Sequence, residues 1–242
     1  MPGKILDLGG GFYPVWSPDG NQIAFASMGD LYLKLSNGGG DEELLLKAAE
    51  PDRLRMAPTS WSRDGRFLLF TSDSSSSTTS GWLLPFDSRR HTAGKPFVFH
   101  RGAMGPRFSP DMRWVSYTSN ESGTYETYVR PFDPNSPTGS PPGGGKWLVS
   151  KGGGVSARWN GNGKELFYAA PDGTIMSVDI SANPAFHPGI PKPLFKTKAQ
   201  PLVDRMIWDV SPDGKKFLLP IPVATTASSF TVVLNWQAGL KK

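Results

Sequence analysis

Five positions in this chain stand at one point of a recurring motif: Val15, Ser60, Arg107, Arg158 and Asp209. Each directly precedes the residue that opens a turn. Two guanidiniums at equivalent places could grip an anionic group through bidentate hydrogen bonds. The competing reading pairs them with Asp209 or with acids of the neighbouring turns. Arg107, Arg158 and Asp209 are therefore the candidate ligand-binding residues. Other chemistry finds less support. His91, His100 and His187 are isolated and lack partners at metal-ligand spacing. Asp19, Asp64, Asp111 and Asp213 stand in turns, where aspartate bonds its own backbone. A calcium loop of the D-x-[DN]-x-[DN]-G type is absent. No G-x-S-x-G elbow occurs. Glycoside hydrolysis needs a pair of carboxylates, yet Asp204 and Asp209 fall within one repeat. We expect no catalytic residues, no metal and no cofactor.

The elements that position these residues follow from the motif: WSPDG at 16–20, WSRDG at 61–65, FSPDM at 108–112, WNGNG at 159–163 and VSPDG at 210–214. A period near fifty residues is the mark of a repeat architecture. In S-P-D-G the proline presets φ near −65° and the glycine takes a positive φ, which predicts a type I turn with a bulge. Met112 holds the glycine place in the third copy. This costs about 1 kcal/mol or forces another turn type.

Each turn joins a first strand (Phe12–Trp16, Val155–Trp159) to a second: Gln22–Ser27, Phe67–Ser72, Trp114–Ser119, Glu165–Ala170 and Lys216–Ile221. Third strands are expected at Asp30–Ser36, Gly81–Asp87, Tyr125–Asp133, Gly173–Ile180 and Phe230–Trp236. More polar fourth strands are expected at Glu42–Lys47, Lys95–His100, Lys146–Lys151 and Lys192–Thr197. Four antiparallel strands per period predict an all-β fold, a β-propeller of five four-stranded blades in one domain spanning 1–242. The blades run 11–50, 51–101, 102–152, 153–200 and 201–238. Strand 3–8 completes the last, with Lys4–Leu8 pairing to Phe230–Trp236 and so closing two sheet edges. The turn-opening aromatics read as core between blades. Leu44–Arg55 gives the one hint of helix. Ser74–Ser80 and Pro134–Gly145 read as long loops.

Composition agrees. Phe 14, Trp 8 and Tyr 6 favour strands over helices. The absence of cysteine excludes disulfides and thiol chemistry. The net charge of +5 comes from scattered basic residues. No basic stripe with interleaved aromatics appears, so nucleic acid is not an expected partner. The start MPGKILDLGG has no apolar core of a signal peptide, and no stretch is long and apolar enough to span a membrane.

WSPDG, followed by an I-A-F strand and a D-L-Y-L strand, resembles the TolB-like, WD-repeat-like propeller repeats of bacteria. The C-terminal half, with SARWNGNGKELFYAAPDGTIMSVDI, HPGIPKPLF, WDVSPDGKKFLLPIP and TVVLNWQAGLKK, is similar to the end of large bacterial proteins. Those proteins join a eukaryotic-like serine/threonine kinase or a winged-helix regulator to a C-terminal propeller. The resemblance implies a non-catalytic sensory or interaction module of a signalling protein, with a protein or small anionic ligand as partner. No kinase motif occurs in this chain. Attachment to a membrane-anchored kinase would place it outside the cytoplasm; expression alone would leave it in the cytoplasm. The alternatives are the substrate-gating propeller of a prolyl-oligopeptidase-like peptidase and a TolB-like envelope scaffold.

Overall fold

The repeated motif closes a hairpin by the same hydrogen bonds each time. The computed structural model describes residues 8, 10–48, 55–74, 77–87, 92–136, 139–141, 144–182, 185–197, 208–220 and 230–233. In the first turn, Gly20 N–H donates to Ser17 O and Ser17 N–H to Gln22 O, both at 2.9 Å. The bonds recur at Ser62, Ser109, Asn160 and Ser211. The fifth motif residue takes the expected left-handed conformation: φ is 73° at Gly20, 74° at Gly65, 70° at Gly163 and 71° at Gly214. Met112 follows at 61°, so the third copy keeps the turn type and carries the strain. Met112→Gly removes that strain at some cost in unfolded-chain entropy. The expected net gain is about 0.5–1 kcal/mol, read as a higher urea midpoint; a loss would show that packing of the Met112 side chain outweighs the strain.

All described secondary structure is strand. The first sheet orders β1 (Phe12–Trp16), β2 (Gln22–Ser27), β3 (Asp30–Leu35) and β4 (Glu43–Leu46). The second orders β5 (Arg55–Trp61), β6 (Phe67–Ser74), β7 (Ser77–Asp87) and β8 (Thr92–Ala93), while β9 (Phe97–Arg101) also pairs with β7. The third repeat comprises β10 (Met104–Phe108), β11 (Trp114–Ser119), β12 (Glu126–Pro131) and β13 (Trp147–Leu148). The fourth sheet orders β14 (Val155–Trp159), β15 (Glu165–Ala169), β16 (Thr174–Ser181) and β17 (His187–Pro188), with β18 (Lys192–Lys196) also on β16. The fifth orders β19 (Asp209–Val210), β20 (Phe217–Pro220) and β21 (Phe230–Val233). Pairing within these sheets is antiparallel.

The chain divides into two compact units: residues 1–108 with 133–140, and 109–132 with 141–242. In unit one, the rear of the first sheet (Ala24, Ala26, Leu31, Leu33) meets Met56, Trp61, Leu68, Phe70, Leu84 and Phe86 of the second. In unit two, Trp114 and Val129 meet Leu166, Tyr168, Val178 and Ile180. Val155, Phe167, Ala169 and Ile175 meet Trp208, Phe217 and Leu219. Apolar side chains on alternate strand positions thus stack one sheet on the next.

Some expectations are corrected. Ser74–Ser80 is not a long loop: β6 reaches Ser74 and β7 starts at Ser77, with Ser74 opposite Ser77. This run has no proline or glycine to break it, and threonine suits strands. The fourth strand expected at Lys146–Lys151 is only Trp147–Leu148. The second and fourth sheets each gain a short extra strand, β8 and β17. The helix hint at Leu44–Arg55 falls on β4 and the start of β5 where it is described. Lys4–Leu8 as an outer strand lies outside the described residues except at Leu8. Pro134–Gly145 holds no strand in its described part; Asp133 N–H bonds Gly139 O at 3.1 Å and Ser136 Oγ bonds Ser140 O at 2.5 Å.

First strands carry a feature absent from the expectations. Three residues before the turn-opening aromatic, Tyr13 (φ 56°), Gly105 (φ 56°) and Ser156 (φ 57°) are left-handed. The register shifts between Phe12 and Val15 and between Val155 and Arg158. This is a bulge, which turns the last two residues of the strand relative to its start. It therefore sets the direction of the position occupied by Val15, Arg107 and Arg158.

Candidate functional site

The turn serines, rather than the turn acids, organise the motif. Ser62 is fully buried, and Ser17 and Ser109 nearly so. Ser62 Oγ donates to Asp64 Oδ1 at 2.7 Å and accepts from Phe67 N–H at 2.8 Å. The same pair of bonds ties Ser17 to Asp19 and Gln22, Ser109 to Asp111 and Trp114, and Ser211 to Asp213 and Lys216. Each aspartate also accepts the backbone N–H two residues on, at 3.0–3.1 Å. These carboxylates are thus occupied by their own turns. Among the described residues, no group of three or more His, Cys, Asp or Glu is placed to hold a metal ion.

These bonds act on the acids. The Ser17 hydroxyl, with the Asn21 backbone, holds the Asp19 carboxyl below its ordinary range. Ser211 and the Lys215 backbone do the same to Asp213. At Asp64 burial pushes upward, but bonds from Ser62 and Arg66 outweigh it and the net shift is downward. A depressed folded-state pKa adds stability that is present above the ordinary aspartate pKa and lost as pH falls through the folded value. Thermal stability should therefore hold from neutrality to roughly pH 4 and fall below it. Asp213→Asn should flatten the acid limb; an unchanged limb would show that this turn acid contributes nothing.

The fourth turn departs from the pattern for a visible reason. Asn160 replaces serine and is buried, with Nδ2 donating to Glu165 Oε2 at 3.1 Å. Gly161 replaces proline. Its N–H donates to Pro212 O of the fifth turn at 2.9 Å, and a Cβ there would lie 2.5 Å from that oxygen. Only glycine allows so close an approach.

The three candidate binding residues fall in different surroundings. Arg107, half-buried on β10, belongs to unit one. Arg158 and Asp209 belong to unit two, and the structure brings them together with Nε to Oδ1 at 3.6 Å. Arg158 is 8% exposed. Its Nε donates to Trp208 O at 2.9 Å, and Nη1 to Ala157 O at 2.9 Å and Ser156 O at 3.2 Å. The guanidinium lies 5.3 Å over the Trp208 ring. An external anion would compete with these acceptors for the same donors. Val15 and Ser60, in unit one, are half-buried; Ser60 Oγ accepts from Phe108 N–H at 3.2 Å. Replacing Arg158 by alanine strands buried carbonyls and should cost about 1.5–3 kcal/mol in unfolding free energy. A cost near zero would free Arg158 for a ligand role.

Sequence reasoning missed a cleft in unit one. It has a volume of about 440 Å³ and lies between the first two turns. Leu35, Pro18 and Trp61 supply its apolar part; Asp19, Asn21, Arg63 and Asp64 supply polar groups. Trp61 is fixed by its Nε1–H bond to Gly65 O at 3.3 Å and by an edge contact with Phe86 at 5.3 Å. The same turn motif that was legible as a repeat lines both walls. No single copy of it signals a cleft.

No protein-family model matches the chain, and no curated protein sequence matches it significantly. Solved structures do resemble it in fold. TolB from Acinetobacter baumannii is 18% identical with a TM-score of 0.67, over 93% of this chain and 52% of that one. A puromycin-hydrolyzing peptidase of Mycobacterium tuberculosis is 18% identical with a TM-score of 0.59, over 86% of this chain and 34% of that one. The β-propeller domain of Cps50 (Swd1) from Myceliophteria thermophila is 12% identical with a TM-score of 0.57, over 90% and 64%. The chain thus spans about half the length of the Acinetobacter TolB. No helix among the described residues is long and apolar enough to cross a membrane. The fold is an all-β, TolB-like and WD-repeat-like β-propeller of antiparallel blades.

Proposed function

We propose that this chain is a non-catalytic binding module whose turn-bearing surface receives a protein partner. The observation that carries this reading is the cleft between the first two turns. Its volume of about 440 Å³ is that of a small-ligand site. Its lining mixes apolar side chains (Pro18, Leu35, Trp61) with polar ones (Asp19, Asn21, Arg63, Asp64), a mixture that suits a protein contact. The acids around it are committed to holding their turns, so they offer recognition rather than proton transfer. The wider role is the interaction or sensory end of a bacterial signalling protein, as the likeness of the C-terminal half to kinase- and regulator-linked propellers implies. Arg107, half-buried at the end of β10, is the proposed contact for an anionic group.

The test is a peptide selection against the purified chain, followed by affinity measurements on Leu35→Asp, which places a charge in the apolar wall. Selected peptides should bind this variant at least tenfold more weakly. Equal binding to both proteins would remove the cleft from the contact. The anionic arm is tested with inorganic phosphate, followed by amide shifts. Arg107→Ala should weaken it by tenfold or more, and an unchanged affinity would discard that arm. A substrate-gating role beside a peptidase domain would use the same surface, and no feature of the described residues favours it.

A further inference from the structure

Arg107 and Arg158 hold the same place in the third and fourth repeats, yet Arg158 is 8% exposed and Arg107 is half-buried. Both follow a left-handed residue, Gly105 at φ 56° and Ser156 at φ 57°. In both cases a threonine of the preceding repeat holds that residue. Thr71 Oγ1 accepts the Gly105 N–H at 3.0 Å, and Thr118 Oγ1 accepts the Ser156 N–H at 3.3 Å. The approach to the two arginines is therefore shared, and the difference arises one residue later.

At Arg158 the guanidinium folds back on its own strand, where Nη1 donates to the carbonyls of Ala157 and Ser156. The carbonyl that matches Ala157 O is Pro106 O, and it is already occupied. Thr59 Oγ1, on β5, donates to it at 2.6 Å, closer than its other acceptor, Leu69 O, at 3.1 Å. On the far side of Arg107, Ser60 Oγ accepts the Phe108 N–H at 3.2 Å. Two successive hydroxyls of β5 thus hold the peptide groups on both sides of the arginine, and all of these residues belong to unit one. The pair is particular to the second repeat. The two residues before the turn-opening residue are Pro14-Val15, Thr59-Ser60, Pro106-Arg107, Ala157-Arg158 and Trp208-Asp209. Arg158 follows Pro106-Arg107, which bring no hydroxyl to these places.

A carbonyl oxygen has two lone pairs. One filled by a short bond from Thr59 makes Pro106 O a poorer acceptor for a second donor. We infer that Thr59 and Ser60 are positioning residues, which keep the Arg107 guanidinium from folding onto its own strand and so present it to the anionic group. This rests on the reading of Arg107 as an anion contact. It adds that the neighbouring repeat decides which of the two arginines serves.

Thr59→Val removes the hydroxyl and keeps the shape; Thr59→Ser keeps the hydroxyl. The first readout needs no ligand: exchange of the Arg107 guanidinium hydrogens with water, followed by nitrogen-15 NMR. In Thr59→Val this exchange should slow at least threefold, because Pro106 O is open to those hydrogens, and in Thr59→Ser it should match the wild type. Arg158, buried and bonded, is the internal reference and should not change. The second readout is the affinity for inorganic phosphate. Thr59→Val should lower it at least threefold, Thr59→Ser should leave it in place, and adding Thr59→Val to Arg107→Ala should change nothing further. Circular dichroism checks each fold. Ser60→Ala, at a half-buried position, should move both readouts in the same direction and serves if Thr59→Val does not fold. Unchanged Arg107 exchange in the folded variant overturns the inference. So does a phosphate affinity lost in Arg107→Ala but kept in Thr59→Val, and the anion contact then stands. Slowed exchange in a chain that binds no phosphate upholds the positioning and discards the anion contact.

Discussion

Phe167→Ala should be the most damaging single substitution in the second unit, at about 3–5 kcal/mol. Phe167 is fully buried on β15 and meets the Phe217 ring edge-on at 5.2 Å. Phe217 in turn stacks on Trp208 at 6.0 Å, and the Arg158 guanidinium lies over Trp208. The ring is thus the joint between the fourth and fifth sheets. Truncation forfeits both its burial and the contacts of a row of side chains that cannot collapse inward, because the backbone bond from Gly161 to Pro212 holds the two turns together. Phe167→Leu keeps most of the volume and should cost less than half as much. Urea unfolding followed by near-ultraviolet circular dichroism reads both variants. A loss under 1 kcal/mol for the alanine variant would show that the joint repacks and that the sheets are coupled elsewhere.

Much of this architecture was legible in the sequence. Strands β2 and β11 occupy the residues expected from the spacing after the turns, Gln22–Ser27 and Trp114–Ser119. That worked because the turn chemistry is local: a serine, a proline, an aspartate and a glycine specify dihedral angles without help from distant residues. Even Met112 obeys, since the bonds around Ser109 impose the same loop. The bulge at Tyr13, Gly105 and Ser156 was not legible, because tyrosine and serine give no sign of a positive φ. The candidate site shows the same limit. Spacing placed Arg158 and Asp209 at one level, and they do meet. Spacing could not say that the arginine would be buried and bonded to backbone carbonyls. Nor could it foresee the cleft, which needs two turns 45 residues apart (61 − 16) to stand side by side.

Glu126→Ala should cost about 3 kcal/mol, although glutamate at the start of a strand looks like an ordinary surface acid. Its side chain is buried. Oε1 accepts the Gly153 N–H at 2.9 Å, and Oε2 accepts the Ser150 hydroxyl. Ser150 Oγ in turn accepts from Thr127 N–H at 2.8 Å, and Thr127 Oγ1 donates to Gly154 O at 3.1 Å. This net turns the chain away from β13 at Ser150 and delivers it to β14, which explains why the fourth strand expected through Lys151 stops at Leu148. The first repeat does the same task with Asp30, whose Oδ1 accepts the Ala48 N–H at 2.7 Å. Acids that open third strands thus fasten the link to the next repeat. Hydrogen bonds to a charged acceptor contribute roughly 1.5–3 kcal/mol each, and a buried donor left without one is costly. Glu126→Gln retains an oxygen acceptor and should recover about half of the loss. Hydrogen exchange supplies the second readout. The Gly153 amide should lose protection in the alanine variant while Phe167, in the middle of β15, keeps it. Equal loss at both amides would mean that Glu126 supports the unit as a whole and that the link has no fastening of its own.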